Sequence, residues 1–389
     1  MAGTIRVVVD KDIPFIKGVL EPYGSVVYLA GKDFTRDVVA DADALIIRTR
    51  TKCDAELLSG SGVKAIFSAT IGTDHIDTGY CAENGIAVYS AAGCNAWGVV
   101  QYVITSLYAL AERHDIDIDG KIMGIIGAGN VGERLAWFAS RLGFKVLRCD
   151  PPERARFMRD SNRAASRGLD IDISSISPAD YYDLDEVLRC ADILSVHLPL
   201  NVDTKSFCSE QFFGRLKKGA IFINSSRGEV VDEDTLLKYR NLLGGLIVDV
   251  WRGEPDINPD LLKATDIATA HIAGYSFEGK VNATTMTLNS FAAHFGIEAL
   301  RDFIAIDTVL ENSCTGVSVS DTTVAGDTGL RFDYHKSRCT NLARIFASSY
   351  NVLGDDTMLR QNPERFEYIR ANYAFRREFS DELIDFVSL

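Results

Sequence analysis

Residues 121–132 read KIMGIIGAGNVG, and this stretch decides the fold class. An apolar run ends at Gly127, and Gly129 and Gly132 follow where a helical pattern begins. The next apolar run closes at Asp150, about twenty residues further on, which is the usual spacing of the ribose-binding carboxylate in a dinucleotide site. The sequence therefore predicts a strand, a glycine-rich turn and a helix that together bind a dinucleotide.

The glycine-rich turn predicts NAD as the cofactor. Its glycines let the backbone approach a pyrophosphate, which then lies at the positive end of the following helix. The predicted contacts are Gly127, Gly129, Asn130, Val131, Gly132 and Asp150. A carboxylate at Asp150 disfavours the 2′-phosphate of NADP, although Arg154 and Arg156 leave NADP as a second possibility. A glycine-rich turn that binds nothing is the alternative interpretation.

Strand-like apolar runs alternate with helical patterns on both sides of this turn. Before residue 95 they are Arg6–Asp10, Ser25–Ala30, Ala44–Arg48, Lys64–Thr70 and Ile86–Ser90. From residue 121 onward they are Lys121–Gly127, Lys145–Asp150, Asp192–Leu198, Ala220–Asn224, Leu246–Val250 and Asp266–Ala270. This alternation predicts an α/β protein with two Rossmann-like, doubly wound parallel sheets in series.

The same pattern suggests three domains. We expect a flavodoxin-like substrate-binding domain from residues 1–95 and 277–296, where a helix returns the chain to the first sheet. We expect the NAD-binding Rossmann domain over residues 96–276. Between Pro151 and Tyr182 an Arg-rich and then Asp- and Ser-rich stretch predicts a surface excursion with one short helix. The remaining residues, 297–389, predict a smaller C-terminal α+β domain: Ser313–Gly329, rich in Ser, Thr, Gly and Asp, is expected to be a loop or edge strand, and helical patterns follow around Cys339–Tyr350 and Glu364–Arg377.

Three candidate catalytic residues come directly after strands of the second sheet. Arg227, Glu254 and His271 each follow an apolar run, and ligands of open α/β sheets bind at the carboxyl ends of the strands. Oxidation of an alcohol needs a base, for which histidine is suited, while a carboxylate orients the imidazole and an arginine can clamp a substrate carboxylate. Taken singly, each could instead be an ordinary turn arginine, loop carboxylate or strand-end histidine.

Composition narrows the class of protein. The formal charge of -13 makes nucleic acid a poor partner, and no apolar run is long enough to suggest a membrane span. The eight cysteines lack metal-ligand spacing, so we expect free thiols and no metal site. The N-terminal residues lack a signal-peptide pattern, which predicts a cytoplasmic protein.

Four motifs occur together in an order that resembles the D-isomer-specific 2-hydroxyacid dehydrogenases. They are Gly127-x-Gly-x-x-Gly132, Asn224-Ser-Ser-Arg-Gly228, Asp249-Val-Trp-Arg-Gly-Glu-Pro255 and His271-Ile-Ala-Gly274. The resemblance covers nearly the first 300 residues. It implies catalytic roles for Arg227, Glu254 and His271, and cofactor contacts at Asp150 and Asp249.

Other stretches resemble one branch of that family, which oxidises 4-phospho-D-erythronate to 2-oxo-3-hydroxy-4-phosphobutanoate on the route to pyridoxal 5′-phosphate. They are Ala92-Gly-Cys-Asn-Ala96, Cys149-Asp-Pro-Pro152 and the residues from His271 to Lys280. The segment from Arg370 to Glu378 is similar to the dimerisation domain of that branch, which implies a homodimer.

The resemblance also implies further contacts. Thr49, Thr70 and Tyr275 would contact the substrate, and Arg48 beside Thr49 could supply charge for its phosphate. Gly274 would contact the cofactor, as would Leu198, which stands where we expect a threonine in the family. Ser225 and Ser226 also depart from the family pattern, which affects details of the cofactor contacts rather than the chemistry.

Two alternatives remain open from the sequence. The same chemistry could act on another 2-hydroxy acid, such as 3-phosphoglycerate, because the core motifs do not identify the substrate. A protein of this fold could also be an NAD-sensing regulator that binds a protein partner. The intact set of Arg227, Glu254 and His271 favours an enzyme.

Overall fold

The computed structural model describes residues 5–160, 162–305 and 336–387. These residues form two compact units. The first unit contains residues 5–95 and 276–305, and the second contains residues 96–275 and 336–387. The predicted loop or edge strand at residues 313–329 lies outside the described residues.

The first unit is built on a parallel sheet whose strands match the predicted apolar runs. The strands are β1 (Ile5–Asp10), β2 (Gly24–Leu29), β3 (Ala44–Ile47), β4 (Ala65–Ser68) and β5 (Ala87–Ser90). They pair in the order β2-β1-β3-β4-β5. The helices that connect them are α1 (Arg36–Val39), α2 (Ala55–Leu58) and α3 (Thr78–Glu83).

Successive side chains of β1 point to opposite faces of this sheet, as the two-residue period of a strand requires. Val7 and Val9 pack on one face with Leu288 and Phe291 of the helix that returns to this unit. Val8 packs on the other face in a separate core cluster. Burial on both faces explains why the strands of a parallel sheet read as continuous apolar runs.

The second unit begins with a long buried helix, α4 (Ala96–His114), and continues into a parallel sheet. The strands are β6 (Ile122–Ile126), β7 (Lys145–Cys149), β8 (Ile193–Val196), β9 (Ile221–Asn224), β10 (Gly245–Val248) and β11 (Ile267–Ala268). They pair in the order β11-β10-β9-β8-β6-β7. The chain leaves β6 towards β7 on one side and later pairs β8 on the other, so the strand order reverses at the end of β6. Ligands bind at such reversal points in open α/β sheets.

Helices cover both faces of the second sheet. Those between its strands are α5 (Asn130–Arg141), α6 (Pro151–Arg159), α7 (Arg163–Ser166), α8 (Leu184–Cys190), α9 (Glu210–Phe213), α10 (Glu233–Tyr239) and α11 (Pro259–Ala264). The residues after Pro151 were expected to form a surface excursion with one short helix, and the structure has the helices α6 and α7 there. The returning helix of the first unit is α12 (Phe277–Phe295).

The described C-terminal residues are helical and belong to the second unit. Their helices are α13 (Arg338–Ser349), α14 (Val352–Gln361), α15 (Phe366–Ala371) and α16 (Asp381–Val387). Short 3-10 helices complete the described chain at Gly31–Asp33, Pro178–Asp180, Gly228–Val230, Arg240–Leu242, Glu298–Leu300 and Pro363–Arg365. That this segment is a separate dimerisation domain stays a prediction.

The prediction of a helix over Glu364–Arg377 was wrong for the second half of that segment. Helix α15 ends at Ala371, where Asn372 donates its side-chain N–H to the carbonyl of Tyr368. The chain beyond Asn372 is extended enough to bury Arg376, which is only 4% exposed, among backbone carbonyls. A helix continued to Arg377 would not bring this guanidinium to those acceptors.

The C-terminal helices close the exposed edge of the second sheet. Oδ1 of Asp356 accepts a hydrogen bond from the backbone N–H of Ala268 in the edge strand β11, at 2.8 Å. Arg360 donates to the carbonyls of Leu262 and Thr265 at 2.8 and 2.6 Å. The first contact satisfies a backbone N–H of the edge strand, which would otherwise be open to pairing with another chain, and the Arg360 contacts satisfy carbonyls at the end of α11.

Candidate active site

The glycine-rich turn joins β6 to α5 and requires glycine at two positions. Gly127 has φ of +92°, and a Cβ there would lie 2.7 Å from the carbonyl oxygen of His197. A Cβ at Gly132 would lie 2.0 Å from the carbonyl oxygen of Gly127. By contrast, a Cβ at Gly129 would meet nothing within 4 Å. The backbone at Gly129 and the start of α5 at Asn130 are therefore open to a pyrophosphate.

Asp150 follows β7 and fixes the turn beside it. Its Oδ2 accepts from the N–H of Ala128, and its Oδ1 accepts from the N–H of Glu153 at the start of α6, both at 2.9 Å. Each carboxylate oxygen has a further lone pair, so these bonds still allow contacts to ribose hydroxyls. The structure thus places the predicted ribose carboxylate next to the predicted pyrophosphate turn.

The two arginines that left NADP open are paired with carboxylates. Nη1 of Arg154 lies 3.2 Å from Oδ1 of Asp183, and Nη1 of Arg156 lies 2.9 Å from Oε2 of Glu153. A 2′-phosphate would have to compete with these carboxylates for either guanidinium. The site therefore favours NAD over NADP.

A buried ionic network behind the turn was not predicted from the sequence. Arg167 donates to the carbonyls of Ala128 and Gly129, at 2.7 and 3.2 Å, and pairs with the buried Glu133 at 3.1 Å. Glu133 also accepts from Arg148 at 2.9 Å and from the hydroxyl of Tyr181 at 2.8 Å. Arg167, in the excursion after Pro151, thus binds the backbone carbonyls of the glycine-rich turn. The only sequence signal for this network was the high arginine content of the excursion after Pro151, within an otherwise acidic chain.

The remaining predicted cofactor residues lie around the same edge of the sheet. Leu198 comes two residues after β8, and its Cδ2 would lie 3.3 Å from a Cβ placed on Gly127. Gly274 is half-buried in the loop after β11. The predictions for both residues, and for Val131 at the start of α5, stay predictions.

Asp249 holds the loop that carries His271. Its buried carboxylate accepts from the N–H groups of Ile272 and Ala273, at 2.8 and 2.9 Å, and from the hydroxyl of Thr269 at 2.7 Å. The sequence predicted a cofactor contact at this position, and that role stays a prediction. What the structure adds is a positioning role, because this carboxylate fixes the backbone after β11.

Glu254 and His271 form a hydrogen-bonded pair at the ends of β10 and β11. Nδ1 of His271 lies 2.7 Å from Oε2 of Glu254, whose Oε1 accepts from the N–H of Trp251 at 2.9 Å. Because Nδ1 faces the carboxylate, proton exchange with a substrate falls to Nε2. His271 has φ of +56°, a strained conformation for a residue with a side chain, and strain of this kind clusters at functional sites.

The Glu254 carboxyl is ionised in this setting. Burial raises its pKa, but the charge and hydrogen bond of His271, the N–H of Trp251 and the charge of Arg370 together hold the pKa below its ordinary value. The ionised carboxylate therefore lies against Nδ1 of the neighbouring imidazole.

Arg227 lies in the loop after β9, three residues beyond Asn224. The amide of Asn224 donates to the carbonyl of Arg227 at 3.0 Å, and Nη1 of Arg227 donates to the carbonyl of Ser226 at 2.8 Å. A Cβ at Gly228 would lie 2.0 Å from the carbonyl carbon of Trp251. Glycine at this position therefore lets the Arg227 loop pack directly against the loop that carries Glu254.

Tyr275 and Arg370 complete the surroundings of the pair. Nε of Arg370 donates to the hydroxyl of Tyr275 at 3.2 Å, and Nη1 of Arg370 lies 3.5 Å from Oε2 of Glu254. Tyr275 was predicted as a substrate contact, which stays a prediction. Arg370 was noted in the sequence only as part of the dimerisation motif, and no signal there placed it beside the catalytic pair.

Arg48, Thr49 and Thr70 lie in the first unit. Arg48 pairs with Asp10 at 3.1 Å and with Asp12 at 3.0 Å, so its charge is already balanced by carboxylates. The hydroxyl of Thr70 lies 2.7 Å from that of Ser68. Thr49 follows β3 and is exposed. Their proposed contacts with substrate stay predictions.

The described residues contain neither a candidate metal cluster nor a membrane-spanning helix. Within residues 5–160, 162–305 and 336–387, no group of three His, Cys, Asp or Glu side chains could hold a metal ion. In the same ranges, no helix has the length and apolar character needed to cross a membrane.

Comparison with known proteins places the chain among dehydrogenases. The family model for the D-isomer specific 2-hydroxyacid dehydrogenase NAD-binding domain matches residues 108–273. The chain is 38% identical to the erythronate-4-phosphate dehydrogenase of Bacteroides fragilis, over 96% of this chain and 97% of that protein. It is 37% identical to the erythronate-4-phosphate dehydrogenase of Escherichia coli K12, over 97% of this chain and 93% of that protein.

Solved structures share the fold at lower identity. An NAD-bound 3-phosphoglycerate dehydrogenase of Entamoeba histolytica matches with a TM-score of 0.60 and 24% identity, over 76% of this chain and 96% of its own. A D-lactate dehydrogenase of Aquifex aeolicus, complexed with NAD and lactic acid, matches with a TM-score of 0.56 and 23% identity, over 79% and 98%.

These findings settle two predictions. The two parallel-sheet α/β domains are confirmed by the shared fold. NAD is confirmed as the cofactor because the matched family model is an NAD-binding domain.

Proposed function

The chain belongs to the D-isomer specific 2-hydroxyacid dehydrogenases, NAD-dependent enzymes that act on a CH–OH group, and from this membership we propose that its substrate is 4-phospho-D-erythronate. The product would be 2-oxo-3-hydroxy-4-phosphobutanoate, an intermediate of pyridoxal 5′-phosphate (vitamin B6) biosynthesis. The likeness to the named relatives over nearly the whole chain supports the substrate. The hydrogen-bonded Glu254–His271 pair is the observation that carries the chemistry.

In this proposal His271 is the general base. Its Nε2 takes the proton of the 2-hydroxyl, and the imidazolium that forms is stabilised by the Glu254 carboxylate 2.7 Å from Nδ1. Glu254 also fixes the tautomer and direction of the ring, because its other oxygen is held by the backbone of Trp251. The base is therefore in place before the substrate binds.

Arg227 is the clamp for the substrate carboxylate. A guanidinium can form two parallel hydrogen bonds with a carboxylate, which fixes the orientation of the attached 2-carbon. It also polarises the oxygen at that carbon as its charge develops. Lysine would provide the charge without the planar geometry.

The residues of the glycine-rich turn would hold NAD. The open backbone at Gly129 and the amino-terminal end of α5 suit its pyrophosphate, and Asp150 suits a ribose. Bound there, NAD supplies the acceptor for the hydride that leaves the 2-carbon. Arg48, Thr49, Thr70 and Tyr275 are proposed to contact the substrate.

We further propose a cytoplasmic homodimer that binds no nucleic acid. Large apolar side chains are exposed on the C-terminal helices, at Leu353 (36%), Met358 (49%) and Tyr368 (58%), and such residues suit a subunit interface. The described cysteines are free thiols, which is typical of a reducing compartment, and the formal charge of -13 repels nucleic acid. A monomer mass in light scattering at micromolar concentration would reject the dimer.

A complementation experiment tests the pathway. A bacterial strain whose own erythronate-4-phosphate dehydrogenase gene is deleted should need added pyridoxine for growth. Expression of this chain should remove that need, whereas the His271→Ala variant, produced at the same level, should not. Failure of the wild-type chain to support growth, while an erythronate-4-phosphate dehydrogenase from another organism does, would reject the proposed substrate.

A further inference from the structure

Arg370 reaches the catalytic pair from helix α15, far along the chain from the residues it contacts. Its Nη1 lies 3.5 Å from Oε2 of Glu254, the same oxygen that faces Nδ1 of His271. Its Nε donates to the hydroxyl of Tyr275 at 3.2 Å. One guanidinium thus contacts both a member of the catalytic pair and a predicted substrate residue. It lies on the Nδ1 side of the imidazole, away from the nitrogen that faces substrate.

A second arginine of the C-terminal segment fixes the backbone between these contacts. The buried Arg376 donates to the carbonyls of Ile272, Ala273 and Tyr275, in the loop that begins with His271. It also donates to the side chain of Gln101 on α4 at 2.9 Å. These hydrogen bonds hold the loop after β11 against the C-terminal segment. They therefore keep Arg370 close to Tyr275.

This contact lies outside the part of the chain that matches the general family. The NAD-binding family model ends at residue 273, well before Arg370. The solved structures from Entamoeba histolytica and Aquifex aeolicus match 76% and 79% of this chain, which covers almost all of each of them. The erythronate-4-phosphate dehydrogenase of Bacteroides fragilis, by contrast, matches 96% of this chain. The arginine therefore comes from a region that the family-wide motifs do not describe.

We propose that Arg370 is a positioning residue of the dehydrogenase reaction, which holds the Glu254 carboxylate and the Tyr275 hydroxyl and limits how strongly Glu254 retains a proton on His271. This inference rests on the proposed role of Glu254 and His271 as the acid/base pair. Arg370 acts through these two residues. It does not itself exchange a proton with the substrate.

The charges around the pair support this role. The charged groups that face Glu254 are His271 and Arg370, and the phenol of Tyr275 faces Arg370. Burial opposes the charge on Arg370, but Tyr275 and Glu254 hold its pKa above the ordinary value, so it remains a cation. A fixed cation beside Glu254 offsets part of the attraction between that carboxylate and the imidazolium.

The test compares Arg370→Gln, which removes the charge, with Arg370→Lys, which keeps it. Arg344→Gln is the matched control, because Arg344 is exposed on α13 of the same segment. We expect Arg370→Gln to lower kcat on the order of tenfold, because the side chain that orients Glu254 is lost. KM for the hydroxy acid should change little. The acid limb of its pH–rate profile should move to higher pH. Arg370→Lys should recover most of kcat, and Arg344→Gln should match the wild type.

A measurement without substrate separates this inference from the proposed function. The titration of the His271 ring can be followed by NMR, with its signal assigned by its loss in His271→Ala. Its midpoint should move to higher pH in Arg370→Gln and stay near that of the wild type in Arg370→Lys and Arg344→Gln. This comparison decides the role of Arg370 even if the wild-type enzyme oxidises none of the acids tested, which would reject only the proposed function.

Three results would overturn the inference. One is an unchanged titration midpoint in a folded Arg370→Gln protein. Another is a rise in KM with kcat unchanged, which would indicate a direct contact with the substrate instead. The third is an Arg370→Lys variant as impaired as Arg370→Gln, since the retained charge would then have no effect.

Discussion

The carboxylate of Glu254 lies 2.7 Å from Nδ1 of His271, although the two residues come from the ends of different strands. Two further constraints keep them together. The N–H of Trp251 holds the other oxygen of Glu254 at 2.9 Å, and the carbonyl of Asp249 accepts from the N–H of His271 at 2.7 Å. Both residues are held by the backbone after neighbouring strands, so the parallel sheet itself sets the geometry of the pair.

Replacing Glu254 with Gln tests what its charge contributes. The amide can still contact the ring, but it no longer stabilises the imidazolium and no longer selects the same tautomer. We expect kcat to fall on the order of 100-fold or more, with NAD affinity close to that of the wild type. Steady-state kinetics and NAD fluorescence quenching measure the two effects. Glu298→Gln is the control, because Glu298 is exposed in the first unit and pairs with Arg301 of the same unit. Full activity of Glu254→Gln would show that the carboxylate is dispensable.

Replacing Arg227 with Lys tests the carboxylate clamp. Lysine keeps the charge but loses the planar pair of donors, so we expect KM for the hydroxy acid to rise and kcat to fall, together about 10- to 100-fold in kcat/KM. NAD binding should stay the same, since the change is directed at the substrate. Arg215→Lys, at an exposed arginine of the same unit, serves as the control. Unchanged kcat/KM for Arg227→Lys would remove Arg227 from the site.

The glycine-rich turn can be tested without damaging the fold. A Cβ at Gly129 would meet no protein atom within 4 Å, so Gly129→Ala should have a melting temperature close to that of the wild type. The added methyl group would occupy the space through which the backbone approaches the pyrophosphate, and NAD affinity should fall about tenfold or more. Gly79→Ala is the control, because its Cβ would make an ordinary contact of 3.4 Å with Asp77 in the first unit. NAD binding by Gly129→Ala that equals the wild type would place the cofactor elsewhere.

His197 should make the protein less stable in acid. Burial lowers its pKa from the ordinary 6.5 to about 3, and its Nε2 lies 2.9 Å from the hydroxyl of Ser195. Between these pH values the unfolded chain binds a proton that the folded chain does not, so stability is lost as the pH falls below 6.5. In His197→Gln this contribution is absent. Denaturant midpoints at about pH 7.5 and about pH 5 should therefore differ less in the variant than in the wild type. An equal loss in both proteins would show that His197 does not contribute.

Much of the fold could be predicted because its signals are local. Each strand of the two sheets is a short apolar run, and the turn from Gly127 to Gly132 needs glycine for reasons contained in a few residues. Arg227, Glu254 and His271 could be singled out because each lies a few residues or fewer past the end of such a run. In a parallel sheet, this placement alone brings residues to one edge.

The contacts that were missed join distant parts of the chain. Arg370 and Glu254 are 116 positions apart, and no periodicity relates a short C-terminal helix to the end of β10. The same holds for Arg167, whose partners Ala128 and Glu133 lie more than thirty residues earlier. The role of Asp249 could not be predicted for a different reason. A carboxylate after a strand has the same sequence pattern whether it binds a cofactor or holds a loop.

The central claim is tested most directly by the rate of NADH formation with purified protein. Four acids are compared over the same range of concentrations, with free NAD in excess as the hydride acceptor: 4-phospho-D-erythronate, 3-phosphoglycerate, D-lactate and D-glycerate. We predict a kcat/KM for 4-phospho-D-erythronate that exceeds the others by about tenfold or more, which is about 1.4 kcal/mol of discrimination. A higher kcat/KM for 3-phosphoglycerate would contradict the proposed substrate while keeping the dehydrogenase chemistry, and no NADH with any of the four would contradict the proposed function itself.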